Sequence, residues 1–283
     1  VPGDPARSIL GVRASAEKVA ALRQQLGLDR PLWEQLGSYV GGVLHGDLGT
    51  SVSQPGQSVT GLLGGPLLVT LQVVAVTTVI SVVVGSLTGL STAGVVSRRW
   101  KNAADVLSTT TLAVPSFLLG LLLLMLVSDR LGLAPAGGWG TGWPDNTRYV
   151  WLPALALSAY LASLVHRAVY TSAVACRRES FVEAALLRGV TPRRVALAHV
   201  LPNSLLAAIS IVSMNFGALI GGAAVIEAVF DIPGIGTQLV EAVSQRDYPT
   251  IQGAVLITAF AVIIANAAGD LLYRLCDPRT RSS

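Results

Sequence analysis

The chain has 283 residues, 52% of them hydrophobic and only 13% charged, with a mean hydropathy of +0.61 and a formal net charge of +4. A soluble domain is about 25% charged, whereas here no charge falls between Asp47 and Arg98 or between Asp105 and Asp129. Composition therefore excludes an ordinary soluble domain and points to an all-α, polytopic membrane helix bundle, and the small, localised surplus of positive charge argues against nucleic acid as a partner.

In chain order, residues 1–58 read as a solvated extracytoplasmic segment. It opens on VPGDPARSIL with no Met and no apolar run, and SAEKVAALRQQLGL has helical spacing with Ser15 and Glu17 near its start. A region of this size outside the membrane needs something to carry it across, so a preceding span is expected. Residues 59–283 read as the transmembrane domain. Five spans are predicted, over about residues 67–96, 104–127, 149–173, 203–226 and 250–273. Each offers roughly 20 or more mostly apolar residues, enough at about 1.5 Å per residue to cross about 30 Å of hydrocarbon. Pro115 and Pro153 predict kinks or helix starts within them.

Lys and Arg in the short loops set the orientation. One side holds Arg98, Arg99, Lys101, Arg177, Arg178, Arg188, Arg193, Arg194, Arg274, Arg279 and Arg281; the other holds Arg130, Arg148 and Arg246. Eleven against three places the first set, and the C-terminus, in the cytoplasm. Cys176 and Cys276 are expected on that side, the former about two residues beyond its span. They lack CxxC spacing, so neither a disulfide framework nor a metal site is indicated.

Between the third and fourth spans lies a basic, punctuated loop, residues 176–202, containing FVEAALLRGVTPRRVALAHVLPNS. Ser180 and Glu183 fit a capping box, so a helix is predicted from Ser180. Gly189 supplies a left-handed position to end it. Thr191 and Pro192 suit the N-cap and first turn of a second short helix, which is expected to close near Leu201 and Pro202. Ala184 and Ala185 give one side small enough for close approach by another protein, and Arg188, Arg193 and Arg194 make a cationic side. Taken alone, the arginines also suit an ordinary interfacial loop.

The order Glu183-Ala184-Ala185, three residues, Gly189, then a helix closing on Leu201-Pro202 resembles the EAA loop of binding-protein-dependent ABC importers; His199 departs from that pattern, standing where the family usually has an aliphatic residue. Three further stretches are similar to the first permease of the dipeptide, oligopeptide and nickel importers. They are GDPA at Gly3 to Ala6, LGLDRPLWEQLGSYVGGVLHGDLGTS from Leu26, and GGAAVIEAVFDIPGIGTQLVEAVSQRDYP from Gly221. The resemblance implies a non-catalytic permease subunit in the bacterial plasma (inner) membrane, with six spans in the full pattern. Its coupling residues would be Glu183, Ala184, Ala185, Gly189, Leu201 and Pro202. Its partners would be a second homologous permease, two ATP-binding subunits and an extracytoplasmic solute-binding protein. ATP and Mg would be bound by the partner ATPases, with no cofactor in this chain. Di- or oligopeptides, glutathione, nickel chelates or oligosaccharides are all cargo of this branch.

Other candidates are weaker. Pro233, Gly234 and Gly236 suit a turn or an anion-binding nest near an outer gate, and Gly221 and Gly222 permit close helix packing on the substrate path. Glu227, near the outer end of its span, suits contact with a peptide amino group or an interfacial acid. Arg167, beside His166, reads as a snorkelling side chain. His45 and His199 have no neighbours at metal-ligand spacing. No phosphate-cradling G-x-x-x-x-G-K-[ST], H-E-x-x-H or G-x-S-x-G occurs. A proton-driven transporter would need acids at mid-span and paired inverted halves, but Asp105, Glu227 and Asp270 sit near span ends and no internal repeat is visible.

Overall fold

The computed structural model describes residues 15–25, 29–94 and 98–276. The GDPA stretch, residues 26–28, Arg279 and Arg281 lie outside the described residues, and of Arg98 only the backbone is described. Apart from an isolated bridge between Thr50 and Ser58, regular structure among the described residues is helical. The elements are α1 (Ala16–Gln25), α2 (Leu32–Leu44), α3 (Val59–Gly94), α4 (Arg98–Ala113) and α5 (Ser116–Leu123), which runs into a π-helical stretch, Leu124–Arg130. Then come α6 (Thr147–Cys176), α7 (Ser180–Leu187), α8 (Pro192–Val195), a second π-helical stretch (Ala196–Val200), α9 (Leu201–Val229), α10 (Ile235–Ser244) and α11 (Tyr248–Cys276).

Four described helices are long and apolar enough to cross a membrane: α3, α6, the run Pro192–Val229 and α11. The predicted second span is not one continuous helix. Arg99–Ala113 and Ser116–Arg130 qualify only as a pair, and they meet at 104°. The cause is Pro115, which has no N–H to give the Thr111 carbonyl and restrains Val114 to extended backbone; the new helix starts with Pro115 at its N-cap. Pro153, by contrast, is accommodated inside α6.

Packing divides the chain into two compact units, Val1–Val69 with Gly234–Ala259, and Thr70–Pro233 with Phe260–Ser283. The division at residue 58 is drawn from polarity instead. In the first unit Leu48, Val59, Leu63, Ile235 and Ala254 form a closed apolar cluster.

The second unit is organised on α6, whose Leu152, Ala154, Leu161, Val165 and Val169 are almost wholly buried. Helix α3 lies against it through small and hydroxyl residues four apart. Thr77 donates to the Ala154 carbonyl, Ser81 to the Ser158 carbonyl, and Gly85 and Gly89 follow. A Cβ on Gly85 would stand 2.7 Å from the Ala162 carbonyl oxygen, and one on Gly89 2.8 Å from that of His166. In lipid, close backbone approach replaces the hydrophobic effect as the force between helices. The hydroxyls that would otherwise be unpaired also bond back along their own helix, as Thr78 does to Val74 and Thr92 to Thr88.

Candidate functional site

The loop after α6 folds as two turns of helix whose end is fixed by hydrogen bonds. Gly189 has φ +82°, its N–H donates to the Leu186 carbonyl, and the Val190 N–H donates to that of Ala185. This is the Schellman arrangement, which places C′ in left-handed backbone, where glycine is least strained. Ala185 and Val190 pack together against a buried cluster of Ala93, Ala173, Cys176, Val182, Val195 and Val200. Thr191 is the N-cap of α8, in extended backbone with Pro192 first in the helix, but its side chain makes no cap hydrogen bond.

Several local expectations need correction. The helix does start at Ser180, but Glu179 is its N-cap and no side-chain cap bond forms, so the Ser180–Glu183 capping box is absent. The second helix does not close at Leu201-Pro202. It widens to a π turn at Ala196–Val200 and runs on unbroken to Val229. Pro202 lacks the N–H that would serve the Ala198 carbonyl, and a widened turn just ahead of it accommodates that gap. The Asn203 side chain adds a bond to the His199 carbonyl at 2.7 Å.

The docking face also differs. Ala185 turns into the core and Ala184 is half-buried, while Phe181, Leu186 and especially Leu187, at 83% exposure, point away. Val182 and Ala185 are packed inward, whereas Leu186 and Leu187, the two residues that follow Ala185, are left exposed. Glu183, Arg188, Arg193 and Arg194 are exposed, Leu201 is half-buried and Pro202 exposed. His199 stacks edge-on with Phe181, ring centroids 6.2 Å apart, and so acts as a packing residue. Cys176 ends α6 rather than lying beyond it, and is buried.

At the other end of α9, Glu227 is 0% exposed, and Thr70 donates to its carboxylate at 2.5 Å. It is neither an interfacial acid nor open to a solute amino group in this conformation. Pro233, Gly234 and Gly236 form no nest, because neither glycine has the positive φ that a nest alternates with; Gly234 is the N-cap of α10 and Gly236 is buried within it. Gly222 does permit close packing, since a Cβ added there would stand 3.0 Å from the Leu157 side chain, whereas Gly221 faces open space. Arg167 does not snorkel: it donates to Thr109 at 2.9 Å and to Ser108 at 3.4 Å. Its neighbour His166 is buried, 3.0 Å from the Thr88 hydroxyl and 3.9 Å from Asp105.

One polar centre went unread in the sequence. Asp247, 1% exposed, receives Ser51, Ser53 and Thr250 hydroxyls and the Val52 N–H, closing the Ser51–Gly56 loop onto the start of α11. Burial alone would raise its pKa, but these hydrogen bonds outweigh it and hold the carboxyl at about 2. Asp247 with Pro249 two residues on is a helix-start signal; the partners 195 residues away are not legible from it.

The sequence matches the binding-protein-dependent transport system inner membrane component over residues 81–282, and the N-terminal model of the same component over residues 1–84. The chain belongs to this family. The permease is 36% identical to the glutathione transport system permease protein GsiC of Salmonella typhimurium over 282 residues, 99% of this chain and 90% of that one. It is also 36% identical, over 287 residues and the same shares, to a Brucella suis protein named provisionally as a peptide permease. In fold it is similar to the inward-facing MetNI methionine ABC transporter (TM-score 0.62, 16% identity, 76% of this chain and 96% of that one). An amino acid ABC transporter gives a TM-score of 0.55 at 16% identity, covering 76% of this chain and 94% of its own. The chain is thus a multi-pass inner-membrane permease subunit of an ABC importer, a class that works with ATPase and binding-protein partners.

Proposed function

We propose that the permease forms half of the path by which short peptides or glutathione-like solutes enter the cytoplasm, and that α7 is its lever. The other half would come from a second, related permease, with two ATP-hydrolysing subunits below and a solute-binding protein outside. The arginine-rich side and the C-terminus are cytoplasmic in this reading, and the names of the relatives support the cargo. The observation that carries the lever is the two-faced build of α7. Its inner side is anchored to α3, α6 and α8 through Val182 and Ala185, while Leu186 and Leu187 stand unpacked on the outside. An anchored helix transmits a push, and an exposed leucine pair on a basic surface suits a protein cleft better than water. ATP-driven closure of the partner ATPases would bias the bundle between its two states only through contacts that differ between them.

The experiment uses the permease assembled with its partners in proteoliposomes. Leu187→Asp leaves every inward contact in place and should lower both ATP-driven tripeptide uptake and solute-stimulated ATP hydrolysis at least tenfold at normal membrane levels. Gly189→Pro, which cannot adopt φ +82° and deletes the bond to Leu186, should do the same. Wild-type uptake by Leu187→Asp would overturn the lever assignment.

A further inference from the structure

The broken span α4–α5 opens on a cavity of about 300 Å3, lined by Leu112 to Ser116 at the break, by Leu157 and Tyr160 of α6, and by Asn215, Ala218 and Gly222 of α9 among others. It lies at mid-height. Asn215 is the central residue of Leu201–Val229, and Tyr160 is close to the centre of Thr147–Cys176.

Two physical points bear on its use. A helix break leaves carbonyls at the end of one segment and N–H groups at the start of the next outside the regular ladder. At membrane depth such backbone is tolerated only where protein buries it or a wet cavity receives it, and discontinuous helices mark solute sites in other transporters. The lining also carries no charged side chain. It offers donors and acceptors together: helix-end backbone, the Ser116 and Tyr160 hydroxyls, and Asn215, whose Nδ2 donates to the Ile211 carbonyl at 2.8 Å while its Oδ1 is not used in that bond. A neutral mixed lining suits uncharged amide groups; a cation, a metal chelate or a free carboxylate would want an opposite charge. The cavity is too small for a whole oligopeptide and is only partly enclosed, so it takes one residue-sized portion. Small residues on α9, Ala218 and Gly222, keep it open.

We propose that this cavity is a solute subsite of the translocation path, which holds a peptide-bond amide of the passing solute between the broken-span backbone, Tyr160 and Asn215. The inference rests on the peptide-class cargo proposed above and adds the place in this chain where such cargo is held.

The test uses cysteine access in the assembled importer, with Cys176→Ser and Cys276→Ser as background. Ser116→Cys and Ala218→Cys are exposed to a small charged thiosulfonate, with Val79→Cys on the apolar outer face of α3 as the lipid-side reference. Trialanine and S-methylglutathione are the solutes. Both cavity cysteines should react at least tenfold faster than Val79→Cys, and a saturating transported solute should slow them severalfold. Asn215→Leu should raise the KM for uptake about tenfold with kcat nearly kept, since one hydrogen bond to a bound amide is lost. Reaction no faster than at Val79→Cys would make the cavity a dry packing gap and end the proposal. Reaction unchanged by a solute whose ATP-driven uptake proceeds would overturn the subsite while leaving the cargo reading intact. Uptake of neither solute would refute the cargo reading, and the peptide assignment of the cavity with it.

Discussion

Asp247 and Gly189 are single residues whose chemistry sets the shape of a whole loop. The folded carboxyl of Asp247 titrates at about 2, below its ordinary 3.8. A depressed carboxylate stabilises the fold fully above its unfolded pKa and loses that contribution as pH falls through the folded one. The window is therefore from about pH 5 down to about pH 2, and the contribution at neutral pH is about 2 kcal/mol. Protease cutting within Ser51–Gly56 should accelerate as pH is lowered through that window, measured with an acid-active protease. Asp247→Asn should cut quickly at every pH, because an amide cannot accept three hydroxyls and an N–H at once. A pH-independent rate in the unsubstituted permease would contradict the assignment. Gly189 works through backbone instead of charge: its left-handed φ turns the chain between α7 and α8 where a Cβ would add about 1 kcal/mol of strain.

At the scale of elements, the seam between α3 and α6 decides whether the bundle forms. Gly85 and Gly89 are four residues apart, so they share one helix face, and both meet α6 backbone closer than any Cβ allows. Gly85→Val should separate the two helices and expose the Thr77, Ser81 and Thr88 hydroxyls that now reach α6. In detergent the variant should melt well below the parent, by 10 °C or more if several kcal/mol are lost, or fail to accumulate. Val79→Leu, on the exposed face of the same helix, should change little. Equal melting of the two variants would show that the close approach is unimportant. The same element logic explains the two π stretches and the bend: each adjoins a site where the regular ladder ends or lacks a donor, as at Pro202 and Pro115.

For the whole molecule, sidedness is the property that everything else assumes. Cys276 is exposed at the end of α11 and Cys176 is buried at the end of α6. An impermeant maleimide should label Cys276 in inside-out vesicles and not in intact cells. Cys176 should stay unlabelled from either side until the protein is denatured, since its thiol is packed under α7 and 3.9 Å from the His199 carbonyl. Labelling of Cys276 from outside would reverse the orientation taken from the arginines, and with it the direction of transport.

The sequence by itself determined the apolar stretches and the family, although the second of the five predicted spans is a bent pair of helices. Hydrophobic length, charge placement and the run from Glu183 to Pro202 are local properties, and local properties survive without coordinates. It also determined the turn at Gly189, because only one residue's backbone preference is at stake. Which faces these elements use was decided by tertiary structure. Ala185 looks like a docking surface until Val182 and Val190 are seen to carry it inward. Glu227 looks like an outer acid until Thr70, 157 residues earlier, closes over it. Asp247 looks like a loop acid until Ser51 and Ser53 arrive. For Glu227 and Asp247 the deciding partner is distant in the chain, and burial is a property of the partner as much as of the residue. The 104° break at Pro115 shares this origin: proline removes a donor, but whether a helix bends, restarts or carries on, as α6 does through Pro153, depends on what packs against the gap.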